Sequence, residues 1–265
     1  MRAAGRSVVA VCAALALEAS VAVAEEPTRI QTDRPSVSNS TSTVLPGALQ
    51  IEGGVDYSVS RVSGGSDERQ FQLGAMLRAG LTDRLEVRLD GAPLVRLRGA
   101  EDDTGFGDPT LSLKYRFLDV REGSWWPSLG LLPFVKLPIA RAPIGSERVD
   151  FGVTALASVD LTWQLGLDAN VGLAAIGQSN GDAFRLHEVV SAALSRQIGE
   201  RWSTYVEVFY SSPSERGAHD IVGLDAGIQF FLTPRLALDA AAETSFGGPG
   251  PDYAFRAGVS VRLGR

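Results

Sequence analysis

The sequence predicts an all-β protein: a single up-and-down antiparallel transmembrane β-barrel of about 12 strands. Three observations carry this. Apolar and polar residues alternate with period two along most of the chain. The alternating runs are mostly 10–14 residues long, where strands of soluble proteins average about 5–6 and membrane-spanning strands need about 9–11. The connections alternate between short and long, as expected when one end of a barrel carries tight turns and the other carries loops.

The first 24 residues stand outside that pattern. Arg2 and Arg6 give a positive start, "SVVAVCAALAL" at 7–17 is an apolar run, and "AVA" at 22–24 supplies small residues. This reads as a secretory signal peptide over 1–24, cleaved after Ala24. The apolar run is short for a membrane helix, which needs about 20 residues. Removing Arg2, Arg6 and Glu18 leaves 23 basic and 30 acidic residues, and Cys12 departs with the signal. The exported chain is then expected to be acidic and free of thiol and disulfide chemistry. It has no basic excess for a nucleic-acid partner.

Residues 25–46 are rich in Thr, Ser and Asn and form an N-terminal periplasmic segment or plug, with Asp33 and Arg34 as the plug candidates. A solvated tail is the competing expectation for 36–45. The barrel occupies 47–265, with strands expected at 48–61, 69–80, 84–97, 108–118, 127–138, 149–161, 165–177, 185–197, 202–211, 220–231, 235–245 and 253–263. In the third, Leu85, Val87 and Leu89 alternate with Glu86, Arg88 and Asp90. In the fourth, Leu111, Leu113, Tyr115 and Phe117 alternate with Ser112, Lys114 and Arg116. The sixth places Phe151, Val153, Ala155, Ala157, Val159 and Leu161 on one face, and the last sets Phe255, Ala257, Val259, Val261 and Leu263 against Arg256, Gly258, Ser260 and Arg262.

Four of the short connections share a phrase: "LTDRL" from 81, "LTWQL" from 161, "IGERW" from 198 and "LTPRL" from 232. Pro234 has φ fixed near −65°, so it fits the second position of a type I turn begun by Thr233. Asp83, Trp163 and Glu200 are expected to take the same place in the other copies. All four tryptophans fall at or beside the short connections, Trp163 and Trp202 at copies of the phrase and Trp125 and Trp126 at the connection over 119–126 that lacks it, where an indole ring suits a membrane interface.

If apolar residues face lipid, their alternates face the lumen. The lumen-lining candidates are Glu52, Asp56, Arg78, Glu86, Arg88, Asp90, Lys114, Arg116, Lys136, Asp160, Asp168, Glu207, Asp225, Asp239, Glu243 and Arg256. Lipid exposure would cost an Arg or Lys about 2–4 kcal/mol at the midplane. Either these charges coat a narrow water-filled path, or they pair across the barrel and close it.

Chemistry is not expected. His187 and His219 lack metal-ligand spacing. His187 and Ser191 share a strand face but stand too far apart for a hydrogen bond. "GFGD" at 105–108 lacks the lysine and helix of a phosphate loop. No enzyme activity, metal or cofactor is predicted, and solvation is the expected role of loop carboxylates such as Asp102 and Asp103.

Thr32-Asp33-Arg34-Pro35, then Pro46-Gly47, Gln50 and Glu52 before a strand ending near Tyr57, together with "DTGFGDPTLSLKYRF" at 103–117 and "KLP" at 136–138, resemble a known family: the outer-membrane transporters of the meta-pathway of phenol degradation. The resemblance covers essentially the whole mature chain, and the first two blocks are its specific part. It implies an outer-membrane barrel of a Gram-negative bacterium that passes small molecules, aromatic or other small organic solutes among them. Its partners would be outer-membrane lipid, the barrel-assembly machinery and a solute the sequence does not name. A structural or adhesive barrel with a closed lumen is the alternative. Where such barrels usually end on an aromatic residue, this chain closes with Leu263, Gly264 and Arg265.

Overall fold

A computed structural model describes residues 28–62, 65–100, 102–119, 125–178, 183–214, 218–248 and 250–264. The expected signal peptide at 1–24 lies outside them. Twelve long strands run in chain order: β1 (Leu49–Ser60), β2 (Glu68–Thr82), β3 (Leu85–Arg98), β5 (Thr110–Leu118), β6 (Ser128–Lys136), β7 (Asp150–Asp160), β8 (Leu165–Gly177), β9 (Phe184–Ile198), β10 (Trp202–Ser211), β11 (Ile221–Thr233), β12 (Leu236–Phe246) and β13 (Tyr253–Leu263). A three-residue strand, β4 (Asp103–Gly105), extends the loop after β3 and pairs with its end.

Each long strand pairs antiparallel with its chain neighbours, and β1 pairs with β13 from Leu49↔Leu263 to Val59↔Tyr253. The sheet is thereby closed and has no free edge, the condition for placing strands in hydrocarbon. Prolines sit where the ladder tolerates a missing donor. Pro93 lies in the irregularity between the Leu73↔Leu94 and Ala75↔Gly91 pairs, and Pro133 lies where β5 and β6 skip from Ser112↔Phe134 to Tyr115↔Leu131.

The barrel is inverted relative to a soluble protein. Val222 and Leu224 of β11 are more than 40% exposed, while Asp225, the next residue along the strand, is 3% exposed. The same holds for Leu111 and Leu113 beside a fully buried Lys114. A continuous outer belt of exposed Leu, Val, Phe and Tyr is far larger than a soluble surface tolerates, and suits lipid. Trp163 and Trp125 are the most exposed of the tryptophans. Trp125 and Trp126 stack at 5.2 Å, and Trp202 packs on Phe230 at 4.4 Å.

The turns divide into two kinds. At "LTDRL" and "LTPRL" a two-residue connection follows a bulge that turns Leu81 or Leu232 outward. The threonine hydroxyl accepts the N–H two residues on: Arg84 to Thr82 at 3.2 Å and Arg235 to Thr233 at 3.1 Å. The other copies differ from expectation. Trp163 and Gln164 have φ of 62° and 60°, the type I′ arrangement that Pro234 cannot adopt. In "IGERW" the connection has three residues and opens on Gly199 at φ 60°. Trp163 and Glu200 therefore do not take the place of Pro234: positive φ at Trp163 and Gln164, and at Gly199 before Glu200, sets turns that a proline-compatible type I turn does not share.

Candidate functional site

The segment preceding β1 folds into the lumen. It enters at the turn end, where the Arg29 guanidinium donates to the Glu200 carbonyl at 2.6 Å and lies over the Phe231 ring, and where the Ile30 N–H donates to the Pro234 carbonyl. Ile30 is buried against Phe231 and Ala237. The segment crosses the lumen and returns to the same end, where Thr43 bonds the Asp83 carbonyl and Pro46 bridges to Gly80.

This stretch has neither a helical nor a strand period, so its backbone groups need other partners. Wall side chains supply them. Glu52 accepts the N–H groups of Asp33 and Arg34, and Glu207 those of Val37 and Ser38 at 2.8 and 2.6 Å. The Asn170 amide pairs reciprocally with the Asn39 backbone at 2.7 and 2.9 Å. Ser158 accepts from Thr41, and Glu86 from Val44. Gln50, Gln229, Arg256 and Arg262 donate to the carbonyls of Gln31, Arg34, Pro35 and Thr28. Together with Ser191, which bonds Ser38 at 2.8 Å, these partners surround the lumen.

At the centre lies a buried six-residue charge cluster. Asp33 receives Lys114 at 2.7 Å, Arg88 at 3.2 Å and Arg78 at 3.4 Å. Arg78 also holds Glu52 at 2.6 Å and Glu86 at 2.7 Å. Three cations meet three carboxylates, so the cluster is neutral. Asp33 belongs to the inserted segment rather than to a spanning strand. Burial opposes its ionisation, but Arg78, Lys114 and Arg88 outweigh it and hold the carboxyl well below the usual range.

A second group lies toward β1 and β10–β13. The Arg34 guanidinium stands 3.5 Å from Asp239 and 3.9 Å from Asp56. Arg256 binds Asp225 at 2.6 Å, approaches Asp56 at 3.5 Å and also binds Glu243. Tyr205 donates to Asp225 at 3.1 Å. Carboxylates outnumber cations here.

Of the other lining candidates, Lys136 bonds Asp150 at 2.6 Å and Ser146 at 2.9 Å near the loop end. Asp168 accepts from the Ser158 hydroxyl. Asp90 lines both cavities described below. Arg116 lies at the turn-end rim, donating to the Asp83 carbonyl and pairing with Asp119, and Asp160 is exposed at that rim. Period two puts both on the inner face, but the face ends where the strands leave the barrel. His187 and Ser191 are not joined: His187 meets Ser212 at 3.5 Å.

Period-two reasoning missed the apolar inner residues. Tyr205 and Phe209 are 8% exposed, on the same face as Glu207. Their rings lie over glycines of the adjacent strand: a Cβ on Gly227 would stand 2.4 Å from Tyr205, and one on Gly223 2.0 Å from Phe209. The signal was readable as glycines opposite aromatics in paired strands, but only with the register known.

Beyond the segment, toward the loop end, lies a cavity of about 1620 Å³. Its walls carry Glu68, Arg69, Gln70, Gln72, Asp90, Asp108 and Asp150, and residues 142–147 of the loop after β6 fold against it. Asp108 holds that loop by accepting the N–H groups of Ile139 and Ala140. A smaller cavity of about 400 Å³ lies beside Asp33, Arg34, Arg88 and Arg256.

The family described as "Putative MetA-pathway of phenol degradation" matches residues 32–263. No curated protein matches the sequence. Among solved structures, an outer-membrane channel from Pseudomonas putida F1 is 14% identical, with 86% of this chain and 100% of that one covered at a TM-score of 0.67. The NanC porin is 11% identical over 81% and 100% of the two chains at 0.54, and a KdgM porin in complex with disordered oligogalacturonate is 6% identical over 82% and 99% at 0.53. At these identities the likeness is one of fold.

Proposed function

The chain belongs to the family of the MetA-pathway of phenol degradation, and on that premise we propose that it is an outer-membrane channel for small solutes, closed on its periplasmic side by its own N-terminal segment. The observation that supports this most directly is that segment itself: residues 28–46 fill the turn-end half of the lumen, while the loop-end half holds a large cavity. A barrel built only as an anchor needs no such cavity. The lining mixes carboxylates, cations and glutamines with Met76, Val95, Leu97, Ile144 and Ile176, which suits a small solute that carries polar groups.

On this reading Asp33 and Arg34 are the plug's anchoring charges, and the turn end faces the periplasm. The surroundings are outer-membrane lipid, reached by export and barrel assembly. The second reading is a structural or adhesive barrel with a permanently closed lumen, and the neutral buried cluster around Arg78 and Asp33 favours it.

Planar-bilayer conductance separates the two. The channel reading expects small or flickering currents from the native protein and larger ones from the Asp33→Ala/Arg34→Ala variant. Equal currents in both count against the plug. No current from a folded barrel lacking 28–45 counts against the channel.

A further inference from the structure

We infer that the lumen contains two half-sites of opposite charge which, once the N-terminal segment withdraws, take the two ends of a small zwitterion: a molecule with a carboxylate and a cationic nitrogen a short spacer apart. This rests on the channel reading and names its solute class.

Asp33 and Arg34 are adjacent in sequence but aim at different parts of the wall. The Asp33 carboxylate meets Lys114, Arg88 and Arg78 on β5, β3 and β2. The Arg34 guanidinium meets Asp239 on β12 and Asp56 on β1. The dipeptide thus presents one negative and one positive group to two complementary patches.

The wall is shaped for the positive end. Gly258, Gly54 and Gly74 lie side by side in register across β13, β1 and β2. A Cβ on Gly54 would stand 2.3 Å from the Arg34 guanidinium, and one on Gly258 2.6 Å from it. Three paired glycines make a notch without side chains, the usual mark of a strand that something approaches closely.

Removing the segment unbalances both patches. Without Asp33, the cations Arg78, Arg88 and Lys114 lose the ion-pair partner they share; Glu52 and Glu86 stay in contact with this patch, and Asp90 and Asp168 act on Arg88 and Lys114 from further off. Without Arg34, Asp239 loses its ion-pair partner, and Arg256 is left to balance Asp56, Asp225 and Glu243. Uncompensated charge in a confined lumen is costly, so an occupant carrying both signs is favoured over a neutral or singly charged one. The cavity of about 400 Å³ touching Asp33, Arg34, Arg88 and Asp56 leaves room beside both patches, within the range of small-molecule pockets.

The test uses the full-length Asp33→Ala/Arg34→Ala protein, with folding checked by the heat-dependent gel shift. Proteoliposome swelling compares glycine betaine with erythritol, an uncharged molecule of similar size. The expected result is entry of betaine about tenfold faster, equivalent to about 1.4 kcal/mol, with the ratio falling toward one when Arg88→Gln and Asp239→Asn are added. Calorimetry on the same detergent-solubilised variant reads binding without flux. Betaine binding with no flux for either solute supports the half-sites and overturns the channel. Equal entry of both solutes, no preferential binding, or a preference that survives the wall substitutions overturns the inference.

Discussion

Lys114 and Asp33 meet at 2.7 Å inside the barrel, 81 positions apart in the chain and both almost wholly withdrawn from solvent. Lys114 also donates to the carbonyls of Ser40 and Ser42. One wall side chain therefore holds the inserted segment at both its entering and its returning limb.

Lys114→Met is expected to loosen the segment while leaving the barrel closed. Removing one partner of a buried ion pair costs about 3–5 kcal/mol, and the low end applies because Arg88 and Arg78 still face Asp33. Ser38 is 3% exposed, and Cys12 is the sequence's one cysteine, so Ser38→Cys in a Cys12→Ser background is a reporter. Its maleimide labelling should accelerate strongly in the Lys114→Met background, with the heat-dependent gel shift retained. Unchanged labelling would mean that the pair does not hold the segment.

Gly80→Ala tests the returning limb. A Cβ there would stand 2.2 Å from the carbonyl oxygens of both Val44 and Leu45, and backbone cannot swing aside as a side chain can. Overpacking of this kind costs about 1–3 kcal/mol, and the segment, bound by fewer ladder bonds than β2, is the part that yields. Ser38→Cys labelling should rise, and the denaturant midpoint of the barrel should move little. A barrel that unfolds without added labelling would place the strain in the wall instead.

The strands were legible because lipid imposes a simple rule: every second residue on the outside is apolar, whatever the inside does. Hence the runs at 165–177, 202–211 and 253–263 match the observed strands residue for residue. The inner surface was legible only as a list of charges. Which charge meets which depends on register, as with Arg78 of β2 standing between Glu52 of β1 and Glu86 of β3. The inserted segment was harder still. Its Ser, Thr and Asn residues suit a solvated tail equally well, and the deciding partners, Glu207, Asn170 and Ser158, lie more than a hundred positions away.

Asp33 also sets an expectation for pH. Its carboxyl is held below the usual range, by Arg78, Lys114 and Arg88 against the opposing effect of burial. A depressed folded value means that its stabilising contribution is fully present above the unfolded value, about 3.9, and is lost only as pH falls through the folded one. The difference in Ser38→Cys accessibility between the native protein and Asp33→Asn should therefore stay constant from neutral pH to about 4. A difference that faded between about pH 7 and 5 would show that Asp33 is not ionised among those cations.

A disulfide offers the most direct control of the segment. Ser38 and Ser191 touch through their hydroxyls at 2.8 Å, so cysteines at both positions bring two sulfurs within reach of a bond, which needs Cβ atoms about 3.5–4.5 Å apart. With Cys12→Ser added, this pair supplies the only thiols of the sequence. If withdrawal of the segment opens the lumen, the oxidised Ser38→Cys/Ser191→Cys protein should show low conductance that a reductant raises to the level of the reduced control. Each single-cysteine variant should ignore the reductant. Conductance that stays high and constant across oxidation would mean that solute passes with the segment in place, and the route would then have to run beside it, through the cavity lined by Arg88 and Arg256.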